Sequence, residues 1–73
     1  MHPFFKENDL TAIGSKIKTL RKERKITQKN LALVSGISNT YLSDIEIGRT
    51  NPSLRTLEKI ADALGISIKD LFE

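Results

Sequence analysis

Four polar residues in the middle of the chain recur at the spacing of one helix face: Asn39, Thr40, Ser43 and Asp44. An asparagine amide can donate a hydrogen bond to adenine and accept one from it, and a threonine offers a base its hydroxyl and a thymine its methyl group. A carboxylate at Asp44 is acceptable only beside a cytosine amino group or away from phosphate. These side chains could therefore read base edges, although Asn39 and Thr40 could also be solvated residues at the start of a helix.

A second group of residues carries hydroxyl, amide or cationic side chains of the kind that bind nucleic-acid phosphates. Gln28 begins a predicted helix, where free backbone N–H groups favour an anion. Ser38 lies at the start of the next predicted helix and can contact phosphate in the same way. Lys25 belongs with Lys18 and Lys22 to a basic stripe, a pattern that is also typical of a solvated helix face. The residues predicted to contact phosphate or sugar are Gln28, Ser38, Tyr41, Arg49, Asn51 and Lys25.

The polar residues lie in two predicted helices that a tight turn joins. Ala32 is small where the second of these helices must pass, and Gly36 can take the positive φ of a sharp helix exit. Ile37 is apolar within the turn, as expected for a turn that folds over a core. Leu42 and Ile45 are three residues apart and share one face of the second helix, so its polar residues face away. This is the architecture of a helix-turn-helix, whose second helix enters the major groove of DNA.

Apolar residues recur at helical spacing along most of the chain, and no segment alternates as a strand would. We therefore predict an all-α fold, a compact five-helix bundle with the helix-turn-helix at its centre. Predicted N-caps are Asp9, Thr27, Ser38, and Asn51 or Ser53, and predicted ends are Gly36, Gly48 and Gly65. A last short helix begins at Ser67. Residues 1–8 are predicted to be an arm, whose phenylalanines could cover the core or contact a partner, and residues 9–73 one DNA-binding domain.

The composition limits the classes of function that are open to the chain. Its 73 residues are enough for one small domain. Lys and Arg number 12 against 9 acidic residues, and the resulting charge of +3 suits a polyanionic partner. There is no cysteine for a disulfide or a thiolate metal site, no glycine-rich phosphate loop and no membrane-length apolar stretch, and the only histidine is His2. The sequence thus argues against an enzyme and predicts no cofactor, metal, membrane or small-molecule ligand.

Three segments together carry a family resemblance: RKERKITQKNLALVSGIS, TYLSDIEIGRTNPSLRTLEKIADALGIS and DLF. Over residues 10–73 the chain resembles the Xre-type helix-turn-helix family, which includes the Cro protein and the phage repressors. The resemblance implies the phage-repressor type of bundle, regulation of transcription, a dimer on a short and roughly palindromic operator, and a phosphate contact at Gln28. The chain departs from the family at Lys25, where glycine is frequent, and a left-handed residue there would bear a modest backbone cost.

By the same resemblance, Arg21 and Glu46 are expected to form an ion pair between the first helix and the end of the third. Both are next to apolar residues, Leu20 and Ile45, so their side chains should be partly buried. A half-buried pair adds little net stability, but removal of one partner strands a charge and costs about 3 kcal/mol. The pair would then fix how the recognition helix is presented. The alternative is that Glu46 merely ends a helix in solvent.

Apolar residues at the end of the chain are predicted to join two copies: Ile68, Leu71 and Phe72. One recognition helix reads too few base pairs to specify a single site in a genome, so a dimer on an inverted repeat is expected. The alternative is that these residues close the core of one monomer, which is expected of Leu71, whereas Phe72 is the better candidate for an exposed apolar contact. We therefore expect a cytoplasmic, sequence-specific regulator that binds double-stranded DNA, most simply a repressor. A protein-interaction or antitoxin-type module that retains the helix-turn-helix core is the other reading, and the polar face of the third helix argues against it.

Overall fold

A computed structural model describes the backbone of residues 7–72 and the side chains of residues 11–72. Its elements are, in order, α1 (Glu7–Glu23), α2 (Gln28–Ser35), α3 (Asn39–Glu46), α4 (Leu54–Leu64) and a 3₁₀ helix (Ile68–Phe72). The all-α class is confirmed for this part of the chain. The count of five helices is not confirmed, because the last element is a short 3₁₀ helix. None of the described helices has the length and apolar character that crossing a bilayer needs.

Side-chain caps begin α2, α3 and α4. The hydroxyl oxygens of Thr27, Ser38 and Ser53 each accept a hydrogen bond from the backbone N–H three residues on, at 3.0, 3.0 and 3.1 Å. Gly36 and Gly65 end α2 and α4 with φ of 73° and 75°, in the left-handed region that glycine adopts at little cost. The predictions for these five positions are therefore confirmed.

Two predicted helix boundaries differ from the structure. Asp9 lies inside α1, which begins at Glu7, so residues 7–8 belong to the helix and not to the arm. Acidic side chains favour the first turn of a helix as well as its cap position, and a spacing pattern does not separate the two. The C-cap of α3 is Ile47, one residue before the predicted end at Gly48. The predictions for the rest of the arm lie outside the described residues.

The core is shared by all five elements. Its largest fully buried side chains are Ile17, Leu31, Leu42, Ile45, Ile60 and Leu71. Burying such a side chain contributes roughly 1.5–3 kcal/mol. α1 packs on α3, α2 packs on α3 and α4, and the 3₁₀ helix packs on α1 and α4. The helix-turn-helix, α2 and α3, is thus held between α1 on one side and α4 on the other.

The end of α3 packs tightly against α1 at two glycines. Gly14 is buried, and a Cβ there would meet the carbonyl oxygen of Ile45 and lie 2.7 Å from that of Glu46. A Cβ on Gly48 would lie 2.7 Å from the hydroxyl oxygen of Thr11. No pattern in the sequence indicates this role for Gly14, because a glycine within a helix is ordinarily a destabilising residue. In this fold it sets the distance between α1 and the recognition helix.

The connection between α1 and α2 uses a non-glycine residue in the left-handed region. Lys25 has φ of 57°, the only positive value among the described residues that are not glycine. Its N–H donates to the carbonyl of Lys22, and the N–H of Ile26 donates to that of Arg21, both at 3.0 Å. These bonds close the end of α1 in the way that glycine usually allows. Lys25 thus adopts the left-handed conformation, and with it the modest backbone cost that this conformation brings to a residue other than glycine.

Lys25→Gly is expected to raise the free energy of unfolding by about 1 kcal/mol. A left-handed non-glycine residue costs roughly 1–2 kcal/mol, and the freer unfolded chain of glycine offsets part of the gain. Lys22→Gly is the control, because Lys22 is exposed within α1 and its replacement should cost about 1 kcal/mol. Urea denaturation followed by circular dichroism measures both variants. If both lost stability equally, the backbone at residue 25 would carry no strain.

Candidate nucleic-acid interface

Three residues join α2 to α3: Gly36, Ile37 and Ser38. The N–H of Ile37 donates to the carbonyl of Ala32 at 3.0 Å and closes the end of α2. The Ile37 side chain is half-buried and packs against the core, so the turn is anchored from inside. Ser38 then begins α3 as its N-cap. A connection this short, with an apolar anchor and caps on both sides, leaves the two helices little freedom to change their angle.

α3 has one buried side and one polar side. Leu42 and Ile45 are 0% and 1% exposed and hold the helix on the core. Asn39 and Thr40 are exposed at its N-terminal end. In a recognition helix that is the end whose residues touch base edges. The structure therefore places these two predicted base-contacting residues where a DNA groove could reach them.

The second turn of α3 is less accessible than the first. Ser43 and Asp44, also predicted to touch bases, are half-buried, and so is Tyr41, which packs against the core. Asp44 Oδ1 lies 3.6 Å from Nη1 of Arg49, a residue that was predicted to contact phosphate. A pair of this length between an exposed arginine and a half-buried aspartate adds little stability, but the cation reduces the negative charge that Asp44 would bring to DNA. Among the described residues no group of three histidine or acidic side chains could hold a metal ion.

Most of the residues predicted to contact phosphate are exposed: Ser38, Lys25, Arg49 and Asn51. Gln28 is different, because its side chain is half-buried and its Nε2 donates to Oε1 of Glu46 at 3.1 Å. This contact is not predicted from the sequence. The two residues are 18 positions apart in different helices, and no spacing pattern connects them.

The Arg21–Glu46 pair joins α1 to the end of α3. Nε and Nη2 of Arg21 donate to the two carboxylate oxygens at 2.8 and 3.0 Å, and Nη1 donates to the carbonyl of Ile26 at 3.0 Å. Arg21 and Glu46 are 8% and 5% exposed, so both charges are removed from water and matched by short bonds. The alternative that Glu46 ends a helix in solvent is wrong. The pair holds the C-terminal end of the candidate recognition helix.

The end of the chain offers fewer surface residues than predicted. Leu71 is 2% exposed and belongs to the core, so it is not available to contact a second copy, and that prediction is corrected. The 3₁₀ helix packs on both α1 and α4, and Leu71 is the residue that it contributes to the core. Ile68 is half-buried, and Phe72 is 56% exposed. Phe72 is therefore the large apolar side chain that this element presents to solvent.

Two exposed apolar residues on α2 were not singled out from the sequence. Leu33 and Val34 are 75% and 71% exposed, whereas the buried residues of α2 are Leu31, Ala32 and Ser35. The sequence does indicate that some apolar side chains of α2 are exposed, because this helix has more apolar residues than its one packed face can cover. These two side chains form an apolar part of the surface beside the turn.

Two packed helices with a short anchored turn, of which the second presents a polar N-terminal end, define a helix-turn-helix domain. A family model described as helix-turn-helix matches residues 17–71, which is more than half of the chain. The chain therefore belongs to this family, the Xre type that its sequence resembles.

Individual proteins are similar to this chain in sequence and in fold. The immunity repressor protein of Bacillus phage phi105 is 55% identical over 56 residues, which are 77% of this chain and 39% of that repressor, so the chain spans less than half of this relative. The crystal structure of the restriction-modification controller protein C.AhdI from Aeromonas hydrophila matches this chain with a TM-score of 0.86 at 36% sequence identity. The match covers 88% of this chain and 97% of the C.AhdI chain. The biofilm master regulator SinR, solved in complex with DNA, has a TM-score of 0.78 at 40% identity, with coverages of 84% and 98%.

Proposed function

We propose that this protein is a sequence-specific transcriptional regulator that binds double-stranded DNA in the cytoplasm, most simply as a repressor. The observation that carries the proposal is the polar end of α3, where Asn39 and Thr40 are exposed while Leu42 and Ile45 anchor the same helix in the core. The net charge of +3 supports a polyanionic partner. Similarity to a phage immunity repressor, and to SinR in a complex that contains DNA, supports it further.

In this proposal α3 lies in the major groove with its N-terminal end toward the bases. Asn39 and Thr40 read base edges, and Ser43 and Asp44 extend the reading face by one turn. Arg49 shares its charge between Asp44 and a phosphate of the flanking strand. The phosphate and sugar contacts are made by Gln28, Ser38, Tyr41, Arg49, Asn51 and Lys25.

Asn39→Ala is expected to weaken binding to the preferred site by about 1–3 kcal/mol and to relax the preference at one base pair, most simply an adenine. The site is first selected from random duplexes with the wild-type protein and footprinted, and binding to every single-base variant is then compared. Asn30→Ala is the matched control, because it removes an exposed asparagine from α2 and should leave base preference unchanged. Wild-type discrimination at every position in Asn39→Ala would remove this residue from the reading face.

The regulator is further proposed to act as a weak homodimer that tightens on an inverted repeat, with recognition helices about 34 Å apart. The contact is placed at the chain end, on Phe72 and the accessible part of Ile68. Phe72 is 56% exposed, and a large aromatic side chain gains most from being covered. A second copy supplies the second half of a site that one helix is too short to specify.

Phe72→Ala is expected to raise the dissociation constant of the dimer at least tenfold, since burying a phenylalanine contributes roughly 1.5–3 kcal/mol. Sedimentation equilibrium with and without the selected duplex measures the change. Leu33→Ala, which removes an exposed apolar side chain on α2, should leave the dissociation constant unaltered. The dimer proposal fails if the wild type stays monomeric at high concentration and binds a single half-site with one-to-one stoichiometry.

A protein-interaction role is the second candidate function. Leu33 and Val34 favour it, because adjacent apolar side chains that are more than two-thirds exposed are a typical part of a protein-binding surface. The duplex selection separates the two candidates. Enrichment of one sequence supports the DNA-binding regulator, whereas no enrichment of any duplex would overturn it in favour of the protein-interaction role.

A further inference from the structure

The Glu46 carboxylate accepts hydrogen bonds from two other helices. Arg21 of α1 donates Nε and Nη2 to it at 2.8 and 3.0 Å, and Gln28 of α2 donates Nε2 at 3.1 Å. Glu46 is the last residue of α3 and is 5% exposed. One buried carboxylate thus connects α1, α2 and α3. Of its two partners, Gln28 is the one that belongs to the proposed DNA surface.

This contact fixes the direction in which the Gln28 amide points. An ionised carboxylate can only accept hydrogen bonds, so the amide must turn its NH₂ group, and not its oxygen, toward Glu46. The NH₂ group has a second hydrogen, which one bond to Glu46 leaves available to another acceptor. Gln28 is also the first residue of α2, where the leading backbone N–H groups have no acceptor within the helix. Its side chain is half-buried, so part of it remains accessible from the surface.

We propose that Glu46 is a positioning residue for DNA binding, which acts by orienting the Gln28 amide. The second N–H of that amide and the first backbone N–H groups of α2 then donate together to one phosphate. An amide that is already oriented loses less freedom when the phosphate binds than an untethered glutamine side chain would. The inference rests on the proposed function. It gives the Arg21–Glu46 pair a part in binding, in addition to holding α1 against α3.

A double-mutant cycle between Gln28→Ala and Glu46→Gln, measured on the duplex selected with the wild type, tests the inference. A glutamine at position 46 has no negative charge and one acceptor oxygen in place of two, so it cannot accept all three hydrogen bonds that Glu46 accepts from Arg21 and Gln28. Gln28→Ala should weaken binding about tenfold, the loss of one hydrogen bond to a charged group. Glu46→Gln should weaken it about fivefold in the wild type but less than about twofold in the Gln28→Ala background.

The control for this cycle is Lys29→Ala. Lys29 is exposed in the same first turn of α2 but makes no bond to Glu46 in the structure. The fold-changes in affinity that Lys29→Ala and Glu46→Gln cause singly should therefore multiply in the double variant, as expected for independent sites. Independent effects of Gln28→Ala and Glu46→Gln as well would overturn the positioning role.

A second variant separates positioning from folding. Arg21→Met combined with Glu46→Leu replaces the buried charges with an apolar contact between α1 and α3 and should preserve the fold, which circular dichroism checks. It also removes the acceptor of Gln28, so we expect the folded variant to bind about fivefold more weakly. Wild-type affinity in this variant would overturn the inference. An unchanged affinity in Gln28→Ala would overturn it together with the phosphate contact, whereas a wild type that selects no duplex would instead overturn the proposed function.

Discussion

Glu46→Ala is expected to lower the free energy of unfolding by about 3–5 kcal/mol. The substitution leaves the Arg21 guanidinium, 8% exposed, without its counter-charge, and it leaves the Gln28 amide without its acceptor. A buried charge that has lost its partner retains the full cost of leaving water. Native proteins have a total stability of about 5–15 kcal/mol, so this variant should lose a large part of its stability.

Thermal unfolding followed by circular dichroism measures this loss. Glu58→Ala is the matched control, because it removes an exposed glutamate of α4 and should change the free energy of unfolding by less than about 0.5 kcal/mol. Arg21→Met with Glu46→Leu should recover most of the stability, since the charge is removed together with its partner. A loss below about 1 kcal/mol in Glu46→Ala would mean that the guanidinium reaches water, and that the pair does not hold the recognition helix.

Gly14→Ala is expected to destabilise the protein by about 3 kcal/mol, although alanine is the better helix former. Propensity alone predicts a gain of about 1 kcal/mol within a helix. The added Cβ, however, would meet the backbone carbonyls of Ile45 and Glu46, which cannot rotate away as a side chain could. α1 would have to move away from α3, and this movement would also stretch the Arg21–Glu46 contact.

The sign of the change makes this prediction decisive, and urea denaturation measures it. Ala12→Gly is the control, because Ala12 is exposed on the same helix and its replacement should cost about 1 kcal/mol through propensity alone. Positions 12 and 14 would then each be more stable with the present residue. Position 12 favours alanine through helix propensity, and position 14 favours glycine because α3 lies too close for a Cβ. A Gly14→Ala variant more stable than the wild type would show that α1 and α3 do not approach each other as closely as the structure has them.

The helix-turn-helix could be located from the sequence because its signals are local. Thr27, Ser38 and Ser53 cap their helices through an N–H three residues on, so each signal lies within a few positions of the feature that it predicts. Leu42 and Ile45 indicate the buried face of α3 by their spacing alone. Such patterns need no knowledge of the partner against which the helix packs.

Contacts between distant residues could not be predicted in this way. The Gln28–Glu46 bond joins two residues that are 18 positions apart in different helices. The need for glycine at position 14 follows only from the backbone of α3 that lies against it. Leu71 and Phe72 are similar apolar neighbours, yet one is in the core and the other in solvent. A single 3₁₀ helix contains too few residues for its apolar pattern to give each side chain one role, so the sequence assigns Leu71 both to the core and to a contact with a second copy.

The order in which the helices pack also bears on how quickly the domain folds. The main packings join elements that are near one another along the chain, α1 with α3 and α2 with both α3 and α4, while the 3₁₀ helix reaches back to α1. Closing short loops loses less chain entropy than closing long ones, and helical domains with mainly local contacts fold in microseconds to milliseconds. α2 and α3 should therefore assemble before the chain end docks. Folding would then add almost no delay between the synthesis of the chain and the appearance of the folded domain.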